Sequence, residues 1–275
     1  MTYSTQQRRE RILAQGLERG HVTVKALAEE MGVSQATIRR DLKAMAEENQ
    51  LELVYGGAAL PRRSDFSFQS KTIRQVQAKQ IIGRLAAELV ADGDQLFLDS
   101  GTTCFQMAPL LKRRRGLFII VNSARLVAEL ANGPGISIIT LGGHYRSDRM
   151  DTIGPLATST LNQLRGYMAF IGADGVSMDF GLTASDVESA DLYRLAVRNA
   201  REAVLLVDHT KFLTPSLFKI VDWDAISRVV TDQRPTSEWV EFLNAQEIQI
   251  ICPDTSPTET QAEQISEQRG NVVQE

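Results

Sequence analysis

The sequence is poor in residues that staple a fold or hold a metal. Two cysteines, Cys104 and Cys252, in 275 residues give neither a disulfide framework nor a metal cluster. The three histidines, His21, His144 and His209, are scattered and read as structural or solvent-facing, so neither a metal nor a cofactor is expected. No apolar run approaches the roughly 18 residues of a membrane span. The first residues, MTYSTQQRRERI, lack the apolar core of a secretion signal, so a cytoplasmic protein with no membrane partner is expected. No internal repeat is visible.

What is there fits two domains. A hydrophobic content of 43% is ordinary, and the length suits one small domain and one of about 180 residues. Net charge is −4 for the whole chain, but residues 1–63 hold ten Lys/Arg against eight Asp/Glu and the remainder twenty against twenty-six. The positive charge is local, and local charge is what neutralises phosphates.

The stretch VTVKALAEEMGVSQATIRRDLKAM (residues 22–45) reads as two short helices joined by a tight turn. Thr23 can cap the first, because its hydroxyl accepts a free N–H of the first turn. Leu27, Ala28 and Met31 repeat at helical spacing and make one apolar face, with Ala28 small enough for a close crossing. Gly32 follows where a left-handed C-cap is expected. Val33 plugs the angle between the helices, and Ser34 caps the second, whose buried stripe is Ile38, Leu42 and Met45. Ile12, Leu13 and Leu17 mark an earlier helix that completes a three-helix core.

The opposite face of the second helix is polar and basic. Ser34, Gln35 and Thr37 lie at the end of a recognition helix that enters the major groove, and Arg39, Arg40 and Lys43 reach phosphates or base edges. LELVYGGA, from residue 51, reads as a strand, a glycine turn and a second strand, a wing carrying Tyr55 over the backbone or minor groove. A charged helix face alone is only a solvated face. Here a turn glycine, two caps, two apolar stripes and a wing agree on a helix-turn-helix, which makes a double-stranded DNA operator the expected partner.

The domains are expected as a DNA-binding head over 1–60, a linker over 61–74, an α/β domain over 75–252, and a tail over 253–275 whose Thr, Ser, Glu, Gln and Pro are expected to be disordered. In the α/β domain, strands are expected over 95–99, 117–121, 136–141, 168–172, 204–208, 229–231 and 248–252. Helices are expected over 79–91, 103–113, 124–132, 154–163, 189–201 and 236–244. Such alternation gives a mostly parallel sheet covered on both faces.

Small and polar residues fall at the strand ends. LDSGTT supplies Asp99, Ser100, Gly101, Thr102 and Thr103; VNSA supplies Asn122 and Ser123; LGGHY supplies Gly142 and Gly143; IGADG supplies Gly172, Asp174 and Gly175; VDHTKF supplies Asp208, Thr210 and Lys211. In open α/β sheets ligands bind in the crevice at the carboxyl ends of strands. The Ser-Gly-Thr-Thr loop reads as a phosphate cradle, in which glycine lets the backbone approach and a helix N-terminus offers N–H groups. Lys211 supplies opposing charge, and Asp99 or Asp174 accepts from sugar hydroxyls. Each loop alone is a plain turn with a cap; five at one edge point to an effector site. The run Lys112 to Arg115 reads as a solvated helix end.

VSQATIRRDL with VYGGA in the head, and LDSGTT, NSARLVAEL, LGG, IGADG and DHTKF in order behind it, carry a resemblance to DeoR-type bacterial transcriptional regulators over residues 5–252. Tyr193 stands before Arg194 where members often have a lysine. The resemblance implies a winged helix joined to a sensor similar to ribose-5-phosphate isomerase and glucosamine-phosphate deaminase folds. It implies repression of sugar-metabolism genes, a phosphorylated sugar as effector, and a homodimer or higher homo-oligomer. A palindromic operator also requires two heads. The competing reading is a sugar-phosphate isomerase or deaminase fused to a DNA-binding head, with Asp174 or Glu188 as general base. A third is a regulator with an empty pocket, tuned by protein partners.

Overall fold

The computed structural model describes residues 3–19, 21–47, 51–59, 68–212 and 214–253. The chain forms two compact units. One is Met1–Val76 with Tyr145–Asp151; the other is Gln77–His144 with Thr152–Glu275.

The first unit begins with α1 (Thr5–Arg19), β1 (His21–Thr23), α2 (Val24–Met31) and α3 (Gln35–Glu47), followed by β2 (Glu52–Val54) and β3 (Gly57–Ala59). The helix-turn-helix forms for the local reasons expected. Thr23 accepts from Ala26 N–H at 3.3 Å. Gly32 takes the left-handed conformation, φ 65°, and its N–H returns to Ala28 O. Ser34 accepts from Thr37 N–H at 3.1 Å. Ile12, Leu27, Ile38, Leu42 and Met45 are fully buried between the helices, each contributing roughly 1.5–3 kcal/mol of burial. The side chain of Leu17 lies outside the described residues. A part-buried ion pair ties α1 to α3: Arg8 Nε donates to Asp41 Oδ2 at 2.8 Å.

The wing forms as expected, with one strand more. β3 pairs antiparallel with β2 on one side and β1 on the other. His21–Thr23 is too short to show alternation in the sequence.

The first half of the linker expected over 61–74 lies outside the described residues, but Phe68–Thr72 forms α4. Phe68 N–H donates to Asp148 O at 3.2 Å. Close by in sequence, Arg146 donates to both oxygens of Asp151, which is buried. The tail from residue 254 onward also lies outside the described residues.

The second unit holds α5 (Val76–Glu88), β4 (Gln95–Leu98), α6 (Thr102–Phe105), α7 (Ala108–Leu111), β5 (Leu117–Val121), α8 (Ala124–Leu130) and β6 (Ile136–Thr140). In the chain the hairpin β7 (His144–Arg146) and β8 (Asp151–Ile153) follows, its residues 145–151 counted with the first unit, and the second unit continues with α9 (Pro155–Leu161) and β9 (Met168–Gly172). Next come β10 (Gly175–Ser177), β11 (Gly181–Ala184), α10 (Val187–Asn199), β12 (Glu202–Leu206), β13 (Phe218–Lys219), β14 (Arg228–Val230), α11 (Ser237–Ala245) and β15 (Gln249–Ile251).

All seven expected strands join one parallel sheet, in the order β15-β14-β12-β9-β4-β5-β6. The helix expected over 103–113 is broken in two. Pro109 sits in the first turn of α7, where its missing N–H costs nothing, whereas inside one continuous helix it removes a bond. Side chains of α5, α6, α7 and α8 pack on one face of the sheet; those of α9, α10 and α11 pack on the other. The chain runs outward from β4 through β5 to β6, then returns to β9 on the opposite side of β4 and runs outward again. The switch of direction lies between β4 and β9, where an open α/β sheet forms its ligand crevice.

Candidate functional site

In the head, α3 presents Ser34, Gln35, Arg39, Arg40 and Lys43 exposed, with Thr37 half-buried. Arg39 Nη2 donates to Gln35 Oε1 at 3.2 Å, one turn away, a weak tie that a phosphate or base edge can replace. The hydroxyls of Ser34 and Thr37 bond each other at 2.9 Å. Ser34 therefore works as the cap of α3. Tyr55 is fully exposed at the wing tip.

In the second unit the expected site residues gather at the carboxyl ends of adjacent strands. Asp99 follows β4 and is 2% exposed. Its Oδ1 accepts from Gly101 N–H at 2.7 Å, and its Oδ2 accepts from Gly172 N–H at the end of β9. The carboxylate therefore ties the two sides of the switch point together and shapes the loop from within. It also explains Gly101: a Cβ there falls 2.9 Å from Asp99 Oδ1. A side chain there would push the loop's own carboxylate from its place. Ser100 Oγ lies 3.0 Å from Tyr193 Oη of α10. Thr102 is buried and Thr103 half-buried in α6. Beneath them Cys104 Sγ contacts Phe170 O at 3.4 Å; burial pushes its thiol pKa well up, and the charge of Asp99 adds to the shift.

Next along the sheet, Asn122 and Ser123 follow β5. Ser123 is fully buried and caps α8 by accepting from Leu126 N–H at 3.3 Å. Asn122 is 1% exposed. Its Nδ2 donates to Thr152 O at 3.0 Å, while its Oδ1 is buried with no hydrogen-bond partner among the described residues. Thr152 hydroxyl also donates to Leu141 O, closing the ends of β5 and β6. Gly143 has φ 145°, and a Cβ there falls 2.5 Å from Ile153 O, so only glycine fits.

On the other side of the switch point, Asp174 Oδ2 accepts from Ser185 N–H at 2.8 Å, just before α10. The Ser185 hydroxyl is a second buried atom with no partner among the described residues. Lys211 is half-buried in the short turn after β12, and its N–H donates to Asp208 O at 2.9 Å.

Beside Lys211 is an arrangement the sequence reading set aside. His209 Nδ1 lies 2.7 Å from Asp232 Oδ2, and His209 N–H donates to Asp232 Oδ1 at 2.8 Å. Asp232 follows β14, so no local signal pairs them. Among the described residues no group of three His, Cys, Asp or Glu is placed to hold a metal. None of their helices is long and apolar enough to cross a membrane.

Residues 8–64 match the family model described as "DeoR-like helix-turn-helix domain". Residues 74–233 match the one described as "DeoR C terminal sensor domain". The glycerol-3-phosphate regulon repressor of Escherichia coli (strain K12) is 31% identical over 237 residues, 86% of this chain and 94% of that protein. The putative aga operon transcriptional repressor of Escherichia coli O157:H7 is 28% identical over 251 residues, 90% and 93% of the two chains. Among solved structures, a D-ribose-5-phosphate isomerase in complex with phospho-erythronic acid aligns with a TM-score of 0.38 at 17% identity, over 50% of this chain and 54% of that one.

Proposed function

The chain belongs to the DeoR family, and on that premise we propose that it is a repressor of carbohydrate-metabolism genes, controlled by a phosphorylated sugar bound in the second unit. As a family member it is a DNA-binding transcriptional regulator. The two relatives described above are named repressors, not enzymes, which favours this reading over an isomerase or deaminase with a fused head.

The carrying observation is the exposed polar face of α3, Gln35, Arg39, Arg40 and Lys43, held on a capped helix-turn-helix. The major groove accepts such a helix, and these side chains reach phosphates and base edges. The operator is double-stranded DNA, read by two heads of a homodimer or larger homo-oligomer in the cytoplasm.

The effector site is proposed at the switch point. The loop Asp99 to Thr103 forms one wall, with Asn122, Ser123 and Gly143 beside it and Asp174 and Lys211 across from it. The roles differ from a simple cradle. Asp99 and Ser123 hold loops and a helix start in shape. The acceptor of Asn122, without a partner among the described residues, suits a ligand hydroxyl, since a buried acceptor left empty costs about 1–3 kcal/mol. Lys211 supplies the cation for a phosphate.

A thermal-shift panel of sugar phosphates and their parent sugars tests the effector. One phosphorylated sugar should raise the melting temperature, because a ligand that binds only the folded state stabilises it, and the same compound should show no isomerase or deaminase turnover. Turnover of the compound overturns the regulator reading of the second unit. A panel without any shift overturns the sugar-phosphate assignment.

A further inference from the structure

The head carries one exposed feature that the basic face of α3 does not explain. The tip of the β2–β3 hairpin presents three consecutive apolar residues to solvent: Leu53 at 54%, Val54 at 47% and Tyr55 at 108% exposure. The stretch LELVYGGAA (residues 51–59) contains no lysine or arginine. A wing that meets DNA through phosphates needs cations, and this stretch supplies none.

The hairpin is also firmly seated. β3 lies between β1 and β2. A Cβ at Gly57 falls 1.9 Å from Val22 O, so the two strands meet where only glycine fits. Val24 N–H at the start of α2 donates to Gly56 O at 2.9 Å, and Gly56 makes the turn at φ 79°. The tip is thus an apolar projection on a fixed support. Both of its strands pack against α3, the helix that reads the operator. The apolar tip therefore rises from the same small fold as α3 and differs in chemistry from the polar face of that helix.

We propose that this tip is an apolar wedge for DNA: the Tyr55 ring, flanked by Leu53 and Val54, packs on deoxyribose and base edges of the minor groove beside the recognition helix. Apolar side chains in the minor groove unstack base steps and favour sequences that deform easily. The wing then contributes specificity through shape, while α3 supplies direct base and phosphate contacts. The inference rests on the DNA-binding reading and adds to it how the wing takes part.

The test uses the full-length protein and a duplex that it selects from a random-sequence pool. Affinity is measured against salt for the wild type, Tyr55→Phe and Tyr55→Ala, with 2-aminopurine placed at successive steps flanking the recognition half-site. Tyr55→Ala should weaken binding by about tenfold, the scale of one lost aromatic–base contact. The slope of log affinity against log salt should stay unchanged, because no phosphate contact is lost. Tyr55→Phe should bind like the wild type, because the ring and not the hydroxyl makes the contact. The 2-aminopurine signal should rise at one step with the wild type and not with Tyr55→Ala. Equal melting temperatures for the three proteins check that an exposed residue was changed without harm to the fold.

Wild-type affinity in Tyr55→Ala overturns the wedge and leaves the DNA reading standing. A salt slope lowered by about one points to a phosphate contact and also overturns it. Loss of self-association without DNA, seen by sedimentation, assigns the tip to a protein interface instead. A wild type that selects no sequence overturns the DNA reading and the wedge together.

Discussion

In the head, Arg39, Arg40, Lys43 and Tyr55 stand out into solvent. In the sensor, Asp99, Ser100, Asn122 and Ser123 are buried and mostly bonded to their own chain. DNA is large and charged, so long side chains can wait for it in water. A small ligand is met by loops already in shape, and polar side chains spend their hydrogen bonds on shaping them. A buried carboxylate can therefore matter to function without touching the partner. On the proposed reading Asp41 and Asp99 are two such cases, one in each unit.

Asp41→Ala should give the largest effect. It leaves Arg8 without its buried partner, at a cost of about 3 kcal/mol to the head. Calorimetry should show the loss, and operator binding should fall with it. A sugar-phosphate-induced shift of the sensor's own transition should remain.

Asp99→Ala should show the mirror image at a somewhat smaller cost. Two N–H groups, of Gly101 and Gly172, lose their acceptor, at about 2–3 kcal/mol in the sensor. Effector response should disappear while operator affinity without ligand is retained. If both variants lose both activities, the contrast between the units is wrong.

Arg39→Ala should have the smallest effect on stability, since the side chain is exposed and bonds only Gln35 among the described residues. Its effect should appear on DNA alone. A phosphate contact lowers the salt slope by about one; a guanine contact costs about 1–3 kcal/mol of discrimination. A salt titration across matched and mismatched duplexes separates these, and unchanged binding in both removes Arg39 from the interface.

The parts legible in the sequence share a cause. α2, Gly32 and α3 are specified by residues within a few positions of each other, so caps and stripes read directly. The seven sheet strands are apolar runs that announce themselves without their partners, the inner ones, β4, β9 and β12, being buried on both faces. β1, β7, β8, β10, β11 and β13 have two to four residues each, too short for a run or an alternation to mark them; β1 and β13 pair with distant strands, and the others pair within local hairpins.

The same holds for the site. The loops of the proposed site are legible because glycine, hydroxyl and other polar residues cluster after five of the seven sheet strands. The bonds inside it are not: Ser100 meets Tyr193 across 93 positions, Asp99 meets Gly172 across 73, and His209 meets Asp232 across 23. Gly101 shows the consequence. From the sequence it makes room for a phosphate; in the fold it first makes room for Asp99.

The most direct test of the account is a titration of the selected duplex with the full-length protein, alone and with each sugar phosphate of the panel. One phosphorylated sugar should shift operator affinity by about 5–150-fold, the usual size of a coupling between two sites, and its unphosphorylated parent should not. An operator affinity that no sugar phosphate changes would contradict the claim that the second unit governs the first.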